Sequence, residues 1–381
     1  MTTAAFALLA VSLLLAAWSY FVYPPLVRRL AARMPGLPRS STPDGAPPSV
    51  EVLVSAAEEE GVIADRVRDL LAQDAPGPYR ISIGCDGSRD ATASRAREAG
   101  GDRVEVVRFQ GRRGKAAVLN DLVAASRADI LVFTDANTRF EAGVVTELCR
   151  ALADPLAGAA CGRLVLERGD GAQETPESEF WDRETATKEA EGRLGVCLGA
   201  NGAIYAARRV LVPRLPPDTT SMDDFLIPVG VAHRGAAVVF APAAVAREAA
   251  ARDLRAEASR RFRIGVGAGQ VLRRERWLWN ARRRPRLALA FFSRKAARWL
   301  APVTFLLAAL AGLASAPLRP ASAGVLALAA IAAASLRLRL PLRGIAGRLY
   351  YFAVINLVLA AGVAAGLCGY RRPAWKSVAR A

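Results

Sequence analysis

The sequence predicts an α/β fold, in which a mixed, mostly parallel sheet carries helices on both faces, together with transmembrane helices. Three observations predict it. Short β-rich runs alternate with segments of helical spacing from about residue 50 onwards, which is typical of parallel sheets. Polar clusters follow the β-rich runs, and apolar runs long enough for a bilayer lie near both ends of the chain.

The alternating region begins with four β-rich runs and the helical segments between them. The strands are predicted at Val50–Ser55, Tyr79–Gly84, Val104–Phe109 and Ile130–Thr134, and the helices at Glu59–Gln73, from about Asp90, and at Gly114–Ser126. The first helix carries its apolar residues on one face, at Val62, Ile63, Val67, Leu70 and Leu71. We therefore expect a Rossmann-like succession of strands and helices.

Three polar clusters coincide with the carboxyl ends of predicted strands. They are Ser55–Glu60, Asp86–Asp90 and Asp135–Asn137. Ligands of open α/β sheets bind beyond the carboxyl ends of the strands. The recurrence of polar clusters at these positions predicts a ligand site at this edge.

The N-terminal region reads as a membrane anchor over residues 1–27. Residues 4–23 are almost wholly apolar, and Arg28, Arg29 and Arg33 follow them. A signal peptide is the alternative, but its positive charges would precede the apolar run. The positive-inside rule then places the following residues in the cytoplasm. Residues 28–49 are interpreted as a linker and 50–282 as a cytoplasmic α/β domain.

The C-terminal region is predicted to return to the membrane. Residues 283–298 mix basic and aromatic side chains, which is typical of an interfacial amphipathic helix. Residues 299–381 hold apolar segments at about 299–316, 321–336 and 349–368, followed by a basic tail, so two to three spans are expected. The number of spans and the side of the tail stay open. The chain is therefore expected to be a multi-pass protein of the plasma (inner) membrane.

Charge and cysteine content narrow the classes of function. The formal net charge is +17, from 52 Lys+Arg against 35 Asp+Glu, and the basic clusters lie beside apolar runs. This placement favours membrane lipids over nucleic acid as the partner. The five cysteines form no Cys-x-x-Cys pair, which argues against a zinc site or a disulfide framework.

Several short motifs carry candidate chemistry, each with a plainer alternative. Lys115 follows Gly114 at a predicted helix start without P-loop spacing, and would face phosphate or solvent. Asp135 and Asn137 end a strand, where their oxygens would bind a divalent metal or form a simple turn. The pair Asp223 and Asp224 would supply a general base or cap a helix.

Taken together, the segments from about Val50 to Arg274 resemble the inverting family-2 glycosyltransferases with a GT-A fold. The resemblance is to the membrane-bound synthases of cellulose, chitin, hyaluronan and poly-N-acetylglucosamine. It rests on the acidic turn at Glu58, Asp86-Gly87-Ser88, Gly114-Lys115, the Thr134–Thr138 loop and Ser221–Phe225, in that order. Their combined order and spacing are more specific than any one of them.

The resemblance implies roles for named residues. It gives donor binding to Glu58, Asp86, Lys115, Asp135 and Arg263. It gives acceptor binding to Trp181, Asn201 and Gly202, and a divalent metal, Mg²⁺ or Mn²⁺, to Asp135 and Asn137. It makes Asp224 the catalytic base, with Asp223 as the second choice.

Two motifs depart from the family pattern. Asn137 stands where the metal motif has a second Asp, so a neutral amide replaces a carboxylate. Processive synthases carry Gln-x-x-Arg-Trp after the base, whereas this register holds Arg260 to Ile264 and keeps only Arg263. The Trp that stacks on the acceptor sugar in the family is therefore missing, and the sequence leaves open whether the enzyme elongates a polymer or adds a single sugar.

The predicted function is the inverting transfer of a sugar from a nucleotide-sugar donor, with uridine diphosphate as the family expectation. The acceptor is expected to be a glycan or a lipid-linked sugar near the membrane. The alternative is a catalytically degenerate scaffold in a glycan synthesis or export complex, which the two departures from the pattern motivate. Nucleic-acid binding is not expected.

Overall fold

The computed structural model describes residues 2–34, 46–167, 176–249, 254–338 and 344–371. Its strands are β1 Val50–Ala56, β2 Tyr79–Asp86, β3 Val104–Phe109, β4 Ile130–Asp135, β5 Arg139–Phe140, β6 Ala157–Glu167, β7 Tyr205–Arg208 and β8 Ala237–Ala249. Its helices are α1 Thr2–Ala17, α2 Tyr23–Arg33, α3 Ile63–Leu71, α4 Thr92–Gly100, α5 Lys115–Ala125, α6 Val144–Ala151, α7 Pro176–Arg193, α8 Asp223–His233, α9 Leu254–Arg274, α10 Pro285–Ala290, α11 Ala297–Gly312, α12 Arg319–Leu338 and α13 Gly344–Leu367.

The chain divides into two compact units, Val27–Ala250 and Met1–Leu26 with Ala251–Arg371. The first unit contains a sheet of order β3-β2-β1-β4-β7-β6-β8-β5. The neighbours from β3 to β4 are parallel, as are β6 and β8, whereas β7 and β5 run antiparallel to their neighbours. The predicted mixed, mostly parallel sheet is therefore confirmed.

Both faces of the central strands are buried. Val52 and Val54 of β1 belong to a core cluster that includes Ile63 and Val67 of α3. Leu53 points to the opposite face, because side chains alternate along a strand, and it is also fully buried. On a neighbouring strand, a Cβ at Gly84 would lie 2.4 Å from Cγ1 of Val118 in α5. Helices thus cover the sheet on both sides and fix where each strand ends.

The predicted strands match the structure closely, but the first helix begins later than its apolar pattern indicated. The prediction started at Glu59, whereas α3 starts at Ile63. The N–H of Glu59 donates to Oγ1 of Thr92 at 2.8 Å, and the N–H of Glu60 donates to Oδ2 of Asp90 at 3.2 Å. These side-chain acceptors hold residues 59–62 in a turn, which the spacing of apolar residues could not show.

The second unit consists of helices from both ends of the chain. α1 packs on α11, where Oγ of Ser12 donates to the carbonyl of Ala301 at 2.9 Å. α9 packs on α13. The predicted domain boundary at residue 282 stays a prediction, and α9 belongs to this helical unit. The predicted interfacial helix over 283–298 is continuous with α11, through a π-helical turn at Phe291–Ala296.

Two helical stretches of the described chain, Thr2–Arg33 and Tyr350–Leu367, are long and apolar enough to cross a membrane. They coincide with the predicted anchor and with the last predicted span. The apolar part of α12, Arg319–Ile331, is shorter than the about 20 residues needed to cross a bilayer. The expected two to three C-terminal spans stay a prediction.

Candidate active site

The site lies at the carboxyl edge of the sheet, where β1, β2 and β4 end beside the first turns of two helices. Asp86 and Asp135 are the last residues of β2 and β4. Lys115 is the first residue of α5, and Asp223 is the first residue of α8. The sequence predicted a ligand site at this edge, and the structure brings together most of the residues named for it.

The ammonium group of Lys115 lies between two carboxylates. Its Nζ is 2.8 Å from Oδ1 of Asp135 and 3.0 Å from Oδ2 of Asp223. Burial would lower the pKa of Lys115, but these two carboxylates outweigh it and raise the pKa well above its ordinary value. The lysine therefore stays charged at every pH at which an enzyme works.

The two carboxylates that bind Lys115 differ in exposure. The side chain of Asp223 is 7% exposed, whereas that of Asp135 is 31% exposed. Oδ2 of Asp223 also accepts a hydrogen bond from the hydroxyl of Tyr205 at 3.2 Å. Burial, reinforced by Asp223, raises the pKa of Tyr205, so this hydroxyl keeps its proton. Asp223 is thus enclosed by donors, while Asp135 is open to a ligand.

Asp224 follows in the first turn of α8 and is half-buried. Its backbone carbonyl accepts a hydrogen bond from the N–H of Ala200 at 2.8 Å. Ser221, two residues before the acidic pair Asp223–Asp224, has a φ of +48°. A non-glycine residue rarely adopts such a φ, and such strain concentrates at functional sites. Of the two acids, Asp223 is the one whose carboxylate lies 3.0 Å from Nζ of Lys115, and Asp224 is the more exposed of the two.

Gly202 lines the space between the acidic residues. A Cβ at this position would lie 3.4 Å from Oδ2 of Asp135, 3.8 Å from Nζ of Lys115 and 3.9 Å from Cβ of Asp224. A side chain here would fill the gap that separates these groups. The absence of one keeps space open at the centre of the site.

Asp86 has a role that the sequence did not reveal. It is fully buried, and its Oδ1 and Oδ2 accept hydrogen bonds from the backbone N–H groups of Arg113 at 2.6 Å and Gly114 at 2.9 Å. The carboxylate therefore fixes the loop that delivers Lys115. Gly87 has φ +60°, and a Cβ there would lie 2.6 Å from the backbone of Gly111. The predicted contact of Asp86 with a nucleoside stays a prediction.

Glu58 lies in a strained turn after β1, with φ +59°. Its Oε1 accepts a hydrogen bond from the backbone N–H of Arg89 at 3.1 Å and lies 3.4 Å from Nη2 of Arg112. Its own N–H donates to Oγ of Ser88 at 3.2 Å. The turns after β1 and β2 and the loop before α5 are therefore joined through this side chain at the edge of the site.

The residues predicted to hold a divalent metal fit such an ion in part. Asp135 offers an open carboxylate, and Asn137, which is half-buried, offers an amide oxygen. Both are hard oxygen ligands, and Gly202 leaves space beside Oδ2 of Asp135. In the described part of the chain no group of three or more His, Cys, Asp and Glu side chains is placed to hold a metal. A metal here would need further oxygens from a bound diphosphate, which is how Mg²⁺ is commonly held.

The structure gives less information about the predicted acceptor residues and Arg263 than about the acidic residues and Lys115. The side chain of Asn201 is buried, and Asn201 precedes Gly202 in the turn that faces the site. The side chain of Trp181 lies outside the described residues. Arg263 lies in α9 of the other unit. Donor binding by Arg263 and acceptor binding by Trp181 and Asn201 stay predictions.

Two residues that the sequence analysis missed support the site from within. Arg66 is fully buried in α3, and burial lowers its pKa to about 10. Its Nη2 donates a hydrogen bond to Oγ1 of Thr134, the residue directly before Asp135, at 2.6 Å. Asn120 exchanges two hydrogen bonds with the backbone of Leu215, at 2.8 and 2.9 Å, and so anchors the segment that leads to α8. Arg66 lies on the predicted apolar face of α3, and Asn120 lies within a predicted helix. Neither position indicates which distant residue its side chain contacts.

Comparison with known proteins agrees with this geometry. The model of the family described as glycosyltransferase like family 2 matches residues 47–267, which is more than half of the chain. An N-acetylglucosaminyltransferase of Azorhizobium caulinodans is 26% identical over 174 residues, 44% of this chain and 44% of that protein. The succinoglycan biosynthesis protein ExoU of Rhizobium meliloti is 36% identical over 105 residues, 27% of this chain and 30% of that protein. The chain thus matches less than half of the length of these relatives.

A solved structure shows the same fold over nearly the whole chain. The mannosyltransferase PcManGT of Pyrobaculum calidifontis, in complex with GDP-Man and Mn²⁺, superposes with a TM-score of 0.62. The match covers 94% of this chain and 99% of that one, at 22% sequence identity. The likeness confirms the predicted GT-A architecture.

Proposed function

Because the chain belongs to glycosyltransferase family 2, we propose that it transfers a sugar, with inversion, from a nucleoside-diphosphate donor to a glycan or lipid-linked acceptor at the membrane. One observation carries the proposal. The ammonium of Lys115 bridges the open carboxylate of Asp135 and the enclosed carboxylate of Asp223, and Asp224 lies next to them. Fixed positive charge and a third carboxylate, that of Asp224, thus lie at one ligand-accessible edge.

The reaction we propose is a single displacement. Asp224 takes the proton from an acceptor hydroxyl as that oxygen attacks the anomeric carbon of the donor sugar. The bond from this carbon to the diphosphate breaks on the opposite face, so the configuration inverts. The departing nucleoside diphosphate leaves with the bonding electron pair. The charged Lys115 stabilises its negative charge. Asp135 and Asn137 would hold a divalent cation, which would supply Lewis-acid stabilisation of the same charge.

Asp223 suits a supporting role better than that of the base. Its Oδ2 accepts hydrogen bonds from both Lys115 and Tyr205, and its side chain is nearly enclosed. A carboxylate that must receive a proton from a bound acceptor needs access to that acceptor. Asp224, which is half-buried, meets this requirement.

The identity of donor and acceptor is part of the proposal. The named relatives include N-acetylglucosaminyltransferases, and the structural neighbour was solved with GDP-Man and Mn²⁺. Uridine diphosphate sugars remain the first expectation, and a divalent metal ion the expected cofactor. We further propose that the chain is a multi-pass protein of the inner membrane with its catalytic unit in the cytoplasm, in keeping with the two membrane-length apolar stretches.

The test is nucleoside diphosphate release by the full chain in membranes, with Mg²⁺ or Mn²⁺. Donors would be UDP-glucose, UDP-N-acetylglucosamine, UDP-galactose and GDP-mannose, and acceptors a polyprenyl phosphate or an oligosaccharide. We expect metal-dependent release from one donor, reduced by about 10² to 10⁴-fold in Asp224→Asn. Asp102→Asn, at an exposed position, is the matched control. Failure of every donor with folded protein would favour the scaffold function instead.

A further inference from the structure

The turn from Leu198 to Ile204 borders the space shared by the donor side of the site and the proposed base. Gly202 in this turn faces Asp135, Lys115 and Asp224. The turn is tied to α8 by the hydrogen bond from the N–H of Ala200 to the carbonyl of Asp224, at 2.8 Å. The position of this turn therefore sets the width of the space between the acids.

Helix α7 is tied to the same turn by side-chain hydrogen bonds. Its buried residues Glu184, Thr187, Lys188 and Glu191 lie three or four positions apart and so share one face. Nζ of Lys188 donates to Oδ1 of Asn201, and Nδ2 of Asn201 donates to the carbonyl of Gly162 at 3.1 Å. Oε2 of Glu191 accepts a hydrogen bond from the N–H of Leu198 at 3.1 Å.

The chemistry of Lys188 is unusual for a residue that only fills space. The residue is 4% exposed, its Nζ donates to the neutral amide oxygen of Asn201, and the buried Glu184 and Glu191 share its helical face. Burying an ammonium group costs free energy that an apolar side chain such as Leu or Met would not cost. A lysine at this position is expected where a fixed hydrogen bond matters more than stability.

From this geometry we propose that Lys188 is a positioning residue for glycosyl transfer, acting through Asn201 on the place of Gly202. The proposal rests on the proposed function above. Lys188 does not touch substrate. Its hydrogen bond orients the Asn201 amide, and the turn then holds Gly202 at a fixed distance from Asp135 and Asp224.

The consequence concerns alignment of the acceptor rather than donor binding. The hydroxyl, the anomeric carbon and the base must lie nearly in line, and a shift of about 1 Å costs about 10²-fold in rate. A displaced turn would also let water compete with the acceptor for the anomeric carbon. Binding of the nucleoside diphosphate, which depends on the Asp135 side, would change little.

The test compares Lys188→Met with Lys188→Gln in the full chain. These side chains match in length, but only Gln can donate to Asn201. With the donor and acceptor that serve the wild type best, we expect Met to lower the kcat of transfer by about 10 to 10²-fold. We expect Gln to recover at least about a third of the wild-type ratio of transfer to donor hydrolysis. Calorimetry should show wild-type affinity for the nucleoside diphosphate in both variants.

The ratio of transfer to hydrolysis keeps the test valid when part of the protein unfolds, because unfolding lowers both reactions equally. A Met variant with the wild-type ratio would overturn the positioning role, and so would Met and Gln variants with the same lowered ratio. A wild type without activity on any donor would instead remove the proposed function. The two failures are therefore distinguishable.

Discussion

At Lys115 one ammonium group contacts two acids that belong to different elements. It lies 2.8 Å from Asp135, at the end of β4, and 3.0 Å from Asp223, at the start of α8. Without the cation between them, two carboxylates at such a short distance would repel each other. Lys115 therefore both assembles the site and supplies its fixed positive charge.

Replacement of Lys115 should separate charge from geometry. Lys115→Met removes the cation and should lower kcat/KM for the donor by about 10² to 10³-fold, the cost of losing a preorganised electrostatic contact. Lys115→Arg keeps the charge but not the compact shape of the ammonium group, and its kcat/KM should lie between those of the wild type and Lys115→Met. Steady-state nucleoside diphosphate release measures both. Equal activity of Met and wild type would contradict the assigned role.

Asp90 links the turns after β1 and β2 and makes stability depend on pH. Burial would raise its pKa, but hydrogen bonds from the Thr92 hydroxyl and from the N–H groups of Thr92 and Glu60 hold it below the ordinary value of 3.8. A carboxyl whose pKa is lower in the folded state contributes stability above its unfolded pKa. That contribution is lost as pH falls through the folded pKa.

We expect Asp90→Asn to melt below the wild type near neutral pH. The difference in Tm should shrink as pH falls below about 4, since protonation removes the same advantage from the wild type. Thermal melts of detergent-solubilised protein between about pH 7 and pH 3 would measure it. The Asp102→Asn variant is the control. A difference that stays constant over this range would contradict the assignment.

At the scale of elements, α9 and α13 approach each other through glycines. A Cβ at Gly269 would lie 2.3 Å from the carbonyl oxygen of Val363, and one at Gly366 would lie 2.2 Å from that of Val266. Small residues at this spacing let two backbones come into contact, as in packed membrane helices. The helices can hold this distance only while these positions carry no side chain.

A single methyl group tests this packing. Gly269→Ala should destabilise the full chain by about 1 to 3 kcal/mol, the usual cost of overpacking, and lower its Tm in detergent. Gly324→Ala is the matched control, because a Cβ at that helical glycine meets nothing within 4 Å. It should be neutral or slightly stabilising, since alanine favours helix. Equal effects of the two substitutions would contradict the close approach.

The elements that sequence could predict are those that local patterns determine. β1 to β4 follow from buried apolar runs, and α8 begins at Asp223 as the acidic pair indicated. The start of α3 was misplaced, because the acceptors at Asp90 and Thr92 lie some 30 residues away in the chain. The same reason hid the links from Asp86 to Gly114 and from Lys188 to Asn201, since a local pattern carries no information about a distant partner.

At the scale of the whole molecule, charge is divided unevenly along the chain. All 35 acidic residues lie between positions 44 and 275, so the segments 1–43 and 276–381 carry only basic charge. Within the second segment, an exposed loop that runs into the first turn of α10 holds Arg282, Arg283 and Arg286, and Trp279 nearby is 42% exposed. Clustered arginines beside an exposed indole suit an interface with anionic headgroups.

We expect anionic lipid to stabilise the protein through this loop. In nanodiscs, the wild type should have a higher Tm with anionic than with zwitterionic phospholipid, since each surface arginine contributes about 1 kcal/mol. A variant with Arg282, Arg283 and Arg286 changed to Gln should lose most of that difference. Changing the exposed Arg80, Arg103 and Arg127 to Gln is the control. A retained difference in the first variant would contradict the role of the loop.

The measurement that tests the central claim most directly is the anomeric configuration of the product. The wild-type enzyme would be supplied with an α-linked nucleotide sugar, and the new linkage would be assigned by NMR. A β linkage, formed by wild type and not by Asp224→Asn, is what a single displacement with Asp224 as base predicts. An α linkage would require a different mechanism and would contradict that role of Asp224.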